Sequence, residues 1–140
     1  LSLSLLAALA AALLVGGMLF FAAMVAPMVF KVLDDATAGR FIRQLFPVYY
    51  LGMFAFAAVA AGAAAVVRPV DAAVLAAVAL GFLYARQILM PRINAMRDRE
   101  LAGQAAAGKS FQRLHGLSVW INGVQFLAAA VVLARLIVAA

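Results

Sequence analysis

The single histidine, His115, opens a run of polar residues at helical spacing, with Ser118, Asn122 and Gln125 following at offsets of 3, 7 and 10. At about 100° per residue the four fall within an arc of about 80°, on one face of a helix. Phe111 extends that face if the helix begins earlier. Tyr84, Gln87, Pro91 and Asn94 repeat the spacing further upstream. Side chains of these types bond helices to each other, at about 0.6 kcal/mol per contact, or line a cavity that receives a ligand. Their matching period predicts that the two stripes face each other. A second grouping, Arg86, Arg92, Tyr49 and Tyr50, offers cationic and phenolic donors to an anionic lipid phosphate; the other reading of these arginines is simple snorkelling.

Metal chemistry is poorly provisioned. The chain has no cysteine, which excludes disulfides, thiolate metal sites, iron–sulfur clusters and a cysteine nucleophile. His115 alone cannot supply two axial haem ligands in a monomer. A haem or copper site would need Met24 and Met28, one helical turn apart, as soft partners; methionines at that spacing also serve as core packing. No Walker loop, zinc motif or Ser-His-Asp arrangement is present. No enzyme activity and no cofactor are expected.

These residues must be positioned by elements of an unusual kind. Of the 140 residues, 69% are hydrophobic and 11% charged, with a mean hydropathy of +1.14. A soluble domain carries about a quarter charged residues, and a globule of this size could not cover its surface with so few. The chain therefore reads as an integral membrane protein whose partner is the lipid bilayer. Its net charge of +6 marks loops at a membrane surface rather than nucleic-acid binding.

Four apolar runs are of spanning length: Leu5 to Phe30, Leu45 to Val67, Asp71 to Met90 and Leu114 to about residue 134. The first is read as a span rather than a signal peptide, because no basic stretch precedes it and it is too long for an h-region. Pro27 is expected to kink it. No span shows an interior Asp or Glu, which argues against a proton-relay pump. The predicted architecture is all-α: one transmembrane domain over residues 1–140, a four-helix bundle with a short amphipathic interfacial segment between the first two spans. That segment, capped by Asp35 or Thr37 and bearing Phe41, Ile42, Leu45 and Phe46, is expected to end where Pro47 turns the chain into the second span. Residues Gly103 to Gly108 read as a flexible joint.

Eight of the eleven basic residues fall in the first and third connections and two, Arg68 and Arg135, on the opposite side. The positive-inside rule then puts loops 31–44 and 91–113 in the cytoplasm and both termini outside, in a bacterial inner membrane. Small residues at Ala58-xxx-Gly62 and Gly81-xxx-Ala85 allow close helix approach, either within the bundle or toward a partner.

Three segments carry a family likeness: Leu45-Phe46-Pro47-Val48-Tyr49-Tyr50, then Ala85-Arg86 through Pro91-Arg92, then Phe111-x-Arg113-Leu114-His115-Gly116-Leu117-Ser118 with Asn122. In order and spacing the chain resembles the small four-span proteins that include animal transmembrane protein 205 and bacterial relatives filed as a domain of unknown function. The resemblance implies a four-helix membrane protein in which Arg86, Pro91, His115, Ser118 and Asn122 matter together. The animal member is associated with platinum-drug tolerance and export; this chain has neither cysteines nor a first-helix histidine for soft-metal handling. The expected function is a non-enzymatic accessory or structural component, in a homo-oligomer or larger membrane complex. The alternatives are a small-solute or metal transporter built on the His115 to Gln125 stripe, and a haem or copper carrier.

Overall fold

A computed structural model describes residues 2–139. Four helices account for nearly all of them: α1 (Leu3–Val32), α2 (Asp35–Ala64), α3 (Pro69–Leu101) and α4 (Ala105–Val138), each long and apolar enough to cross a membrane. At 1.5 Å per residue they run about 45–51 Å, well beyond a hydrocarbon core of about 30 Å. The protein is a membrane-spanning four-helix bundle. Each helix packs on its sequence neighbours, and α1 packs on α4 to close the ring. The connections at 33–34 and 102–104 lie at one end of the bundle; the connection at 65–68 and both chain ends lie at the other.

Local chemistry sets the helix boundaries. Asp34, not Asp35 or Thr37, caps α2, its carboxylate accepting the Thr37 N–H at 3.0 Å. Pro69 occupies the first turn of α3, where its missing N–H costs nothing. Gly103 has φ +95°, the left-handed backbone that favours glycine. It makes 102–104 a tight turn. The expected flexible joint over residues 103–108 is therefore absent: α4 already begins at Ala105, and Gly108 is buried, so close to α3 that a Cβ there would lie 2.9 Å from Glu100 Oε1.

The separate interfacial segment before Pro47 is also corrected. Residues 35–64 form one helix with Pro47 inside it. Pro47 forfeits one backbone bond, but continuous packing against α1 and α3 outweighs that local loss. Pro27 and Pro91 act differently. Each follows a π-helical turn, Phe21–Val25 in α1 and Ala85–Leu89 in α3. The N–H just before each proline reaches back five residues, from Ala26 to the Phe21 carbonyl and from Met90 to the Ala85 carbonyl. A widened turn accommodates a ring that would otherwise crowd the preceding carbonyls.

Alanine dominates the core. Ala7, Ala11, Ala57, Ala60, Ala64 and Ala129 are buried around Leu14, Leu75, Phe82 and Leu136, and small side chains let helix backbones approach. The buried face of α2 runs through Ala57, Ala60 and Ala64, whereas Ala58 is half-buried and Gly62 exposed. Large apolar residues such as Trp120 (73% exposed) and Leu127 point outward, as a lipid-facing surface requires.

Candidate functional site

Two polar clusters interrupt the apolar bundle. The first lies at the level of the π-helical turns. Phe21 of α1 stacks on Tyr49 of α2 with ring centroids 4.3 Å apart. Phe46 meets Tyr50 at 5.2 Å, and both tyrosines pack against Phe82 of α3. Beside this cluster Arg86 donates its Nε to the Pro47 carbonyl at 3.0 Å and its Nη1 to Gln87 Oε1 at 2.7 Å. A helical carbonyl has a second lone pair for such a bond, so Arg86 ties α3 to α2.

On α4, Gln125 is buried and donates its amide to the Val78 carbonyl of α3 at 2.9 Å. Gly81 makes room for it: a Cβ there would sit 2.6 Å from Gln125 Nε2. One turn nearer the basic end, Asn122 Oδ1 is buried and has no hydrogen-bond partner, and the same holds for the Tyr49 hydroxyl. The antiparallel pairings Gln125–Gly81 and Tyr49–Phe82 put both groups at nearly one depth.

The remaining sequence candidates are dispersed. Ser118 turns its hydroxyl onto the His115 carbonyl of its own helix at 2.7 Å. His115 is exposed and stacks on Phe111 at 5.8 Å. Tyr84 and Gln87 are exposed; the surface that α3 presents to Gln125 is instead Val78 and Gly81. The two polar stripes therefore do not face each other, because the α3–α4 contact is set by the small residues that admit closest approach. Asn94 contributes its backbone carbonyl to Arg43, which also reaches Asp98 at 2.6 Å. Arg92 is exposed, and Arg86 is turned onto Pro47 and Gln87, so Arg86, Arg92, Tyr49 and Tyr50 do not converge on one pocket. Met24 and Met28 lie on the outer surface of α1. Among the described residues no group of three or more His, Asp or Glu could hold a metal ion.

The second cluster was missed by sequence reasoning. Asp71, which reads as the polar boundary of the third span, is buried, with 2% of its surface exposed. It accepts Arg68 Nε at 2.5 Å and Arg135 Nε at 2.8 Å. Asp71 sits in the first turn of α3, at the edge of the span rather than inside it; what the sequence did not show is its burial against two arginines. The available signal was the i, i+3 spacing of Arg68 and Asp71, with an arginine at the matching end of the last span. Beside this triad a groove of about 440 Å³ runs between α3 and α4, lined by Val70, Val74, Val124, Leu127 and Val131 and closed at one end by Asp71 and Arg135.

A family model described as a domain of unknown function, DUF4149, matches residues 9–102. No curated protein and no solved structure matches the chain. The matched stretch holds α1 from its second turn, all of α2 and α3, and with them the aromatic cluster, Arg86 and Asp71; His115 to Gln125 and Arg135 lie beyond it. Because the match covers more than half of the 140 residues, this four-helix membrane protein belongs to the DUF4149 family.

Proposed function

We propose that the protein is a non-enzymatic membrane component that packs against another membrane protein or further copies of itself. The observation that carries this reading is a set of outward-facing glycines. At Gly17, Gly81 and Gly108 a Cβ would crowd the end of a neighbouring side chain (Met53, Gln125 and Glu100), whereas a Cβ at Gly16, Gly52, Gly62, Gly116 or Gly123 would meet nothing within 4 Å. Glycine inside a helix costs about 1 kcal/mol relative to alanine. On a spanning helix, that loss is offset when a second helix approaches closely. Gly116 and Gly123 flank the exposed Trp120 on α4, an apolar anchor of the kind that interfaces favour.

In this reading the basic connections face the cytoplasm of a bacterial inner membrane, both termini face outward, and kinship with the four-span family of animal transmembrane protein 205 rests on the segment Phe111 to Ser118 with Asn122. Purification in mild detergent, with mass spectrometry of whatever travels with the chain, tests the proposal. A stoichiometric protein partner or a homo-oligomer is expected, lost in Gly116→Leu or Gly123→Leu without a lower melting temperature. A strictly monomeric chain with no co-purifying protein overturns it.

One observation favours a second reading, passage of a small solute. The Tyr49 hydroxyl and Asn122 Oδ1 are buried polar atoms without partners, as in a layer that receives a polar guest. A single four-span protomer is thin-walled, so this version needs an oligomer. It requires that Asn122→Leu abolish solute movement in a bundle that still folds; retained movement removes it.

A further inference from the structure

The apolar groove and the Asp71 triad meet in one composite site. The groove of about 440 Å³ between α3 and α4 shares Val70, Asp71 and Arg135 with an adjoining basin of about 220 Å³, which Val67, Arg68 and Pro69 complete. The basin is of mixed character, with Arg68, Asp71 and Arg135 beside Val67 and Pro69, and the groove is apolar apart from Asp71 and Arg135 at its end. Both arginines bond Asp71 through Nε alone; among the described residues their Nη groups have no protein acceptor. Two guanidinium groups and one carboxylate leave the basin with one net positive charge. From Val124 to Arg135 the groove follows twelve residues of α4, a rise of about 16 Å, which matches one leaflet of a hydrocarbon core about 30 Å thick. Leu127 is 65% exposed and Val131 59%, so the groove opens sideways into the bilayer.

We propose that this site holds one anionic phospholipid, its phosphate on the Nη groups of Arg68 and Arg135 and one acyl chain along the Val74–Leu127–Val131 groove. Asp71 is the positioning residue: it holds the two guanidinium groups together at the basin while occupying only their Nε donors. A zwitterionic lipid matches the groove and not the charge. A free phosphate matches the charge and not the groove.

The test uses the full chain in mild detergent, titrated with phosphatidylglycerol or phosphatidylcholine, with bound lipid read by mass spectrometry of the intact complex. The wild type is expected to retain one phosphatidylglycerol with a preference of about tenfold. In Arg135→Gln that preference collapses, and in Leu127→Trp, at an exposed position, retention of both lipids falls. Glycerol phosphate without acyl chains does not compete. Equal retention of the two lipids by the wild type overturns the proposal, as does an undiminished preference in a folded Arg135→Gln. Competition by glycerol phosphate also overturns it, and so does a lipid-free dimer that Leu127→Trp disrupts, which would assign the groove to a second copy. The wild-type preference and Leu127→Trp decide the question even if Arg135→Gln does not fold.

Discussion

Asp71 and the pair Tyr49 and Asn122 are all polar groups carried into an apolar bundle, about 20 Å apart along it by helical rise. Their surroundings differ in kind. Asp71 is charged, and two arginines bond it at 2.5 and 2.8 Å. Tyr49 and Asn122 are neutral, and each leaves a buried oxygen unbonded. A buried ion is tolerable only when paired, whereas an unpartnered neutral group costs about 1–3 kcal/mol and can persist. The Asp71 cluster therefore holds structure together, and the Tyr49–Asn122 layer is where the protein has spent stability without a structural return.

The largest expected effect comes from stripping Asp71 of its partners. The double variant Arg68→Gln and Arg135→Gln leaves a buried carboxylate alone and should cost about 3–5 kcal/mol. Asp71→Asn, which leaves only arginines able to reach the interface, should cost clearly less. Thermal or denaturant unfolding in detergent checks both, and equal losses would break the assignment of Asp71 as the buried member. Next is Gly81→Leu, which forces a side chain into the space of Gln125 and should destabilise by about 1–3 kcal/mol.

In the neutral layer the contrast becomes one of sign. Gln125→Leu removes a bonded amide and should cost about 0.6 kcal/mol, while Tyr49→Phe removes an unbonded hydroxyl and should be neutral or stabilising. A Tyr49→Phe loss larger than that of Gln125→Leu would mean that the hydroxyl has a partner in the membrane.

The smallest effect concerns the exposed cap of α2. Thr37, through its hydroxyl and its N–H, holds the Asp34 carboxyl below the ordinary carboxylate value. A lowered pKa means that the cap contributes above about pH 4, the unfolded value, and is lost as pH falls through the folded value. Hydrogen exchange of the first turn of α2 should quicken in Asp34→Ala at neutral pH and converge with the wild type in acid.

Much of the architecture was legible in residue types. Four apolar runs, the third carrying only Asp71 at its start and Arg86 near its end, read as spanning helices, because hydrocarbon offers the backbone no other partner. Gln125 was legible as interhelical glue because a polar side chain on an apolar helix must bond something. The facing surface was not legible. Tyr84 and Gln87 matched the period of the α4 stripe, yet Val78 and Gly81 meet α4, because helix rotation is decided by the closest approach of backbones. Asp71 read as a polar boundary because hydropathy averages along the chain and cannot register Arg135, which lies 64 residues away.

By itself, then, the sequence determined the solvent of this protein, its four crossings and their approximate ends, since these follow from transfer free energies that each residue carries wherever it sits. Only the tertiary structure decided which polar groups are bonded, which are left over, and that Pro47 stays inside a helix while Pro27 and Pro91 follow widened turns. Those outcomes depend on which faces meet, and contact across helices is a property of packing geometry that no single segment contains.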